Sequence, residues 1–163
     1  MLFKKNVSVT DYCTGLLMPL FSQEREATWD GLRTRCNDAA LNQTDKNLYY
    51  DNVRAVMFRL MQIAIAKNCH VESGVAARLF MDDYLKKHGL TEIDSLSDEY
   101  NQAFGSSDTD GVAPIVQLFA HKVTQSKMGE PTKRQFYMEF YEVWKTFFEE
   151  FKFIKLGVCS APR

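Results

Sequence analysis

With 163 residues, 45% of them hydrophobic and 25% charged, the chain can bury a core of its own without disulfide or metal staples. Its 20 Lys+Arg against 21 Asp+Glu leave a formal net charge of −1. No global excess of positive charge marks a nucleic-acid binder, and such a partner would depend on a local patch.

Helical periodicity runs through almost the whole chain, and no convincing alternation of strand residues interrupts it. A first helix begins near Ser8–Asp11, where Ser8-x-x-Asp11 resembles a capping box, and presents Tyr12, Leu16, Leu17, Leu20 and Phe21. Pro19 removes a backbone donor and is expected to kink or end it. Ser22 then caps a second helix with Glu24 and Glu26 in its first turn, the charge sign that the amino end favours. Trp29, Leu32, Cys36 and Ala39 make its apolar stripe.

After the polar break Asn42-Gln43-Thr44-Asp45 comes a helix over about 46–68. Eleven of the fourteen residues from Val53 to Ala66 are apolar. The exceptions Arg54, Arg59 and Gln62 share one sector of about 140° with Asn47 and Asp51, so one wet strip is expected on an otherwise covered helix. A fourth helix, about 72–88, carries Ala77, Phe80, Met81, Tyr84 and Leu85, and ends at Lys86, Lys87, His88 and Gly89. A short fifth helix starts at Thr91 or Ser95 and carries Ile93, Leu96, Tyr100 and Phe104. The stretch 105–111, Gly-Ser-Ser-Asp-Thr-Asp-Gly, is the most loop-like in the chain. A sixth helix, about 112–126, tolerates Pro114 in its first turn and aligns Val112, Val116, Phe119 and Val123.

Pro131 opens the final helix, about 131–154, which carries the strongest signal. Phe136, Tyr137, Phe140, Tyr141, Trp144, Phe147, Phe148 and Phe151 project into one arc of about 140°. Eight aromatic side chains at roughly 150–250 Å² each exceed what one neighbouring helix covers. They must contact several helices or a second subunit. The surface candidates within the arc, for an interface or an apolar pocket, are Tyr137, Tyr141, Trp144 and Phe148.

Chemistry-bearing patterns are sparse. His70, His88 and His121 stand at no metal-ligand spacing, and HExxH and ExxH pairs are absent. Ser106-x-Asp108-x-Asp110-Gly111 imitates the start of a calcium loop, but offers Ser106 and Gln117 where the template wants Asp and Glu. No GxSxG motif or phosphate-binding glycine loop appears, and the adjacent acids Asp82–Asp83 and Glu149–Glu150 point apart on a helix. No metal, cofactor or catalytic residue is assigned, and the chain is not expected to be an enzyme. Cys13, Cys36, Cys69 and Cys159 lack any framework spacing; the first three read as small core side chains.

The pairs Lys4–Lys5, Lys86–Lys87 and Lys133–Arg134 stand far apart in the chain and read as solvated or helix-end charges. The apolar run 16–21 is too short for a signal core, and the longest apolar stretch is broken by Arg54, Arg59 and Gln62. A cytoplasmic protein with neither a membrane nor a nucleic-acid partner is expected.

These readings converge on one all-α domain over 1–163, an irregular or orthogonal bundle of six to seven helices with those at 46–68 and 131–154 central. A regular up-and-down bundle with two short appended helices is the alternative. The expected function is a non-catalytic interaction or regulatory module that self-associates through aromatic surface of the final helix. The alternative is a binder of a small apolar molecule in a cavity between the central helices.

Overall fold

A computed structural model describes residues 3–105 and 111–157. The architecture is all-α, as the periodicity predicts, with eight helices among the described residues: α1 (Val9–Leu20), α2 (Gln23–Cys36), α3 (Ala39–Asn42), α4 (Lys46–Asn68), α5 (Val71–Lys87), α6 (Thr91–Gly105), α7 (Val112–Thr124) and α8 (Glu130–Glu150). The four-residue α3 raises the number above the six or seven expected. The calcium-like fragment 106–110 and Cys159 lie outside the described residues.

Capping chemistry sets most of the boundaries. The hydroxyls of Ser8 and Ser22 accept from the backbone N–H of Asp11 and Arg25, and the carboxylates of Asp38 and Asp45 do the same for Leu41 and Leu48. Pro19 ends α1 one residue later, and both the Ser22 N–H and its hydroxyl close on the Pro19 carbonyl, turning the chain into α2. Gly89 closes the turn after α5 at φ 67°, the left-handed region that glycine enters without strain.

Two expectations are corrected. The chain does contain strands: β1 (Lys5–Ser8) pairs in parallel with β2 (Ile154–Gly157), Lys5 opposite Ile154 and Ser8 opposite Gly157. Accordingly α8 stops at Glu150 rather than near 154, so Phe151 of the expected arc is the residue that caps the helix, and Ile154 belongs to β2. Four-residue strands are too short for alternation to register in the sequence. The Ser73 hydroxyl donates to the Leu156 carbonyl, so the pair is anchored on the start of α5.

Helix α4 runs through the middle, in contact with α1, α5, α6, α7 and α8. Its expected wet strip is covered toward the carboxyl end: Arg59 and Gln62 are buried beneath α5 and α6, whereas Asn47 is exposed and Asp51 and Arg54 are half-buried. The Arg59 guanidinium donates to the Ser97 carbonyl and hydroxyl and to Asp98 at 2.6 Å, while the Gln62 amide reaches Asp82 at 3.3 Å. Helix α6, expected to be short, runs fifteen residues because it supplies this cover.

Helix α8 packs on α4, α7 and α2. It buries Thr132, Phe136 and Phe140, and Phe119 of α7 meets the rings of Phe136 and Phe140 at 4.8 and 5.4 Å. Such pairs add about 0.5–1.5 kcal/mol each beyond their area burial. The amino end of α8 is fixed by Asp38, whose Oδ2 accepts from the Gly129 N–H and the Thr132 hydroxyl. Among the described residues no helix is long and apolar enough to cross a membrane.

Candidate functional site

The aromatic surplus of α8 is divided between two faces. On one, Phe140, Val143 and Phe147 look across a groove whose far wall is the α1–α2 elbow and whose floor is α4. Helix α1 contributes Gly15, Leu16, Pro19 and Leu20; α2 contributes Trp29 and Leu32; α4 contributes Val53, Met57 and Met61. The groove holds about 390 Å³, within the range of small-molecule sites.

Its existence follows from the local sequence. Only one stripe of the very polar α2 is apolar enough to bury, and beyond Trp29 and Leu32 it inserts only the Arg33 side chain. The proline-terminated elbow holds α2 at an angle to α1, and α2 and α8 touch over a short span. Gly15 widens the gap: a β-carbon there would meet nothing within 4 Å.

The ends and rim are polar. The Tyr12 hydroxyl donates to Glu150 at 2.6 Å, tying α1 to α8 and closing one end. Burial, then the Glu150 hydrogen bond and charge, push the Tyr12 phenol well above its ordinary range, so it stays a neutral donor. Glu139 accepts from the Gln135 amide at 3.2 Å. Arg25 and Arg35 stand exposed on the α2 wall, and neither is in an ion pair among the described residues.

The other face of α8 holds the four sequence candidates, and the structure brings them into one row. Tyr137 and Tyr141 stack at 5.9 Å, and Trp144 meets Phe148 at 4.5 Å edge-on. Their coverage differs. Phe104 of α6 packs on Trp144 at 5.2 Å, and the Lys67 ammonium lies over both rings at 5.2 and 5.8 Å. Tyr137, Trp144 and Phe148 are half-buried, whereas Tyr141 is 43% and its neighbour Met138 60% exposed. Gly111 lies so close to the Phe104 ring that a β-carbon would come within 2.5 Å of it.

Reactive groups do not converge in the groove or on this row. Burial, with the Cys69 thiol second, pushes the Cys13 thiol up to about 12, and burial also raises Cys36 and Cys69, the opposite of an activated nucleophile. His88 stacks on Tyr84 and its Nδ1 lies 2.8 Å from the Tyr84 carbonyl, the helix-end role its position suggests. His121 Nδ1 meets the Ser126 hydroxyl at 2.9 Å. Among the described residues no group of three or more His, Cys, Asp or Glu side chains is arranged to hold a metal ion.

Sequence reasoning identified the rings of α8 but missed the opposite wall. Trp29 and Leu32 were visible as a stripe, yet nothing in their spacing says that α8 stands away from them. Gly15 carries no apolar signal at all, because its contribution is the side chain it lacks. The chain matches no protein-family model, no curated protein and no solved structure.

Proposed function

We propose that this domain is a non-catalytic binding module that takes a small, largely apolar molecule in the groove between the α1–α2 elbow and α8. The observation that carries the reading is the groove itself. It is a hollow of about 390 Å³ floored by α4 and walled by Leu16, Leu20, Trp29, Leu32, Val143 and Phe147. Apolar walls with a few polar groups at the rim are the usual anatomy of a small-molecule site. Burying ligand surface there gains roughly 25 cal/mol per Å² before the cost of immobilisation. The three described cysteines are unpaired, which suits the cytoplasmic setting this reading supposes.

The test is titration of the full chain with the neutral apolar dye Nile red, in parallel with a Gly15→Leu variant. The substitution adds a side chain on the α1 wall of the groove, where its β-carbon meets no atom within 4 Å. It also replaces glycine inside a helix, which adds roughly 0.5–1 kcal/mol of stability. The expected result is saturable dye binding by the parent chain and weak binding by a variant that melts at a higher temperature. Equal binding by the two proteins rejects the groove as the site.

A second reading is self-association through the outer face of α8, supported by the exposure of Met138 and Tyr141 beside Tyr137. Sedimentation velocity over a range of concentrations tests it. A concentration-dependent dimer abolished by Met138→Glu and Tyr141→Glu supports it, and a monomer at every concentration rejects it.

A further inference from the structure

The strand pair β1–β2 gathers lysines that the sequence scatters. Lys4 and Lys155 come from the strand pair and its approach, Lys67 from the end of α4, Lys145 from α8 and Lys152 from the turn after it. They line two adjoining hollows of about 380 and 390 Å³, with Lys4, Asn68 and Phe151 common to both. All five lysines are exposed.

None of the five joins an ion pair among the described residues; the paired lysines are Lys87, Lys122 and Lys133, on other parts of the molecule. Lys67 alone has a partner, the Phe104 and Trp144 rings. The acids near these lysines in the chain are Glu72, Glu142, Glu149 and Glu150; Glu149 lines the second hollow, and Glu150 is already engaged by Tyr12. On a chain of net charge −1, five lysines against one lining carboxylate make this end a local positive patch.

Large exposed apolar side chains stand next in sequence to members of the patch, Phe153 also lining a neighbouring hollow with Asp11 and Glu150. Phe3 precedes Lys4 and is 93% exposed, Val71 follows His70 of the first hollow at 82%, and Phe153 follows Lys152 at 59%. A partner that satisfies both components presents dispersed negative charge over an apolar layer.

We propose that this end of the molecule docks on an anionic phospholipid surface. The lysines engage headgroup phosphates, while Phe3, Val71 and Phe153 enter the boundary between headgroups and acyl chains. Single-stranded nucleic acid fits less well. Val71 has no π-face for a base, the cluster contains no arginine fork, and two short hollows do not form a track along a backbone. The docking is separate from the groove and does not depend on what the groove holds.

The test is co-sedimentation of the full chain with phosphatidylcholine vesicles, with and without phosphatidylserine. Binding is expected only to the anionic vesicles and is expected to weaken with added salt. Each lysine near such a surface contributes about fivefold in affinity, so Lys4→Gln with Lys155→Gln together weaken binding about 25-fold. Phe3→Ser with Phe153→Ser weakens it further at high salt, whereas Lys86→Gln, outside the patch, leaves it unchanged. Circular dichroism melts confirm that the exposed variants remain folded. Equal binding to neutral vesicles, no binding to anionic ones, or tighter binding to an oligo-dT strand than to anionic vesicles overturns the proposal.

Discussion

The guanidinium groups that penetrate the helical core and the ammonium groups around the terminal strand pair carry the same charge and are treated in opposite ways. Arg33 is buried, donates to the carbonyls of Asn42 and Thr44 at 2.8 and 2.6 Å, and lies over the Tyr49 ring. Arg54 pairs with Glu26 and Asp51 beneath the rings of Phe21, Trp29 and Tyr50. Arg59 stitches α4 to α6 through Ser97 and Asp98. Each planar fork meets oxygens or ring faces on more than one side, which helps to make a charge tolerable inside, although Arg33 Nη1 and Arg54 Nε are buried without a hydrogen-bond partner among the described residues. The lysines near β1 and β2 sit in water, mostly without partners. Charge in the first region holds helices together; charge in the second joins no ion pair among the described residues.

The contrast breaks most easily at Arg59. Arg59→Ala is expected to lower the unfolding free energy by about 2–4 kcal/mol, because it strips the Ser97 carbonyl and Asp98 of their donor and opens the α4–α6 seam. Urea denaturation reads this directly. Arg59→Lys is expected to recover only a small part, since an ammonium lacks the fork.

Next in size is Asp38, a part-buried anion with three donors of its own. Removing it in Asp38→Ala is expected to cost about 1–3 kcal/mol at neutral pH. Burial raises its affinity for a proton, but the hydrogen bonds from Gly129, Leu41 and Thr132 outweigh that and hold the carboxyl below the usual range. A lowered native pKa means that its contribution is present above the ordinary carboxylate value and lost as pH falls through the lowered one. The gap between parent and variant is therefore expected to narrow in acid, as thermal melts across the acidic range would show.

Asp94 should behave in the opposite sense and more weakly. Burial first, then the charges of Asp82 and Asp98, raise its carboxyl above the ordinary value. Its ionised form burdens the native state at neutral pH, and the burden is relieved as pH falls through the raised native value toward the ordinary one. Asp94→Asn is expected to melt slightly higher than the parent near pH 7, with the difference fading in acid. A variant that melts lower at neutral pH would show that the helix-start position of Asp94 outweighs the repulsion. The smallest effect belongs to the lysines: Lys4→Gln with Lys155→Gln should change unfolding free energy by no more than about 0.5 kcal/mol. A larger loss would mean that these charges serve the fold after all.

Periodicity made the long elements legible. The 46–68 helix is realised at Lys46–Asn68, and Val112, Val116, Phe119 and Val123 are all buried as their spacing requires. Caps at Ser8 and Ser22 and the stop at Gly89 were equally readable, because each depends on one or two neighbouring residues. What escaped depends on distant segments. Arg59 and Gln62 look like surface residues on a helical wheel until α5 and α6 are laid over them. The β1–β2 pair joins the two extremes of the described chain, and with it come together lysines that one-dimensional spacing separates. The rings of α8 announced a crowded helix, yet only the fold says which of them meet Phe104, which line the groove, and which remain in water.

The groove is the central claim, and methionine methyl groups report on it without perturbing it. Met57 and Met61 line the groove, Met81 is buried on α5 beside a different hollow, and Met128 and Met138 sit near the start of α8 and on its outer face. With ¹³C-methyl-methionine-labelled protein, addition of Nile red is expected to shift the Met57 and Met61 resonances and leave those of Met81, Met128 and Met138 in place. Shifts confined to Met138, or no shift at Met57 and Met61 while the dye is bound, would contradict the account.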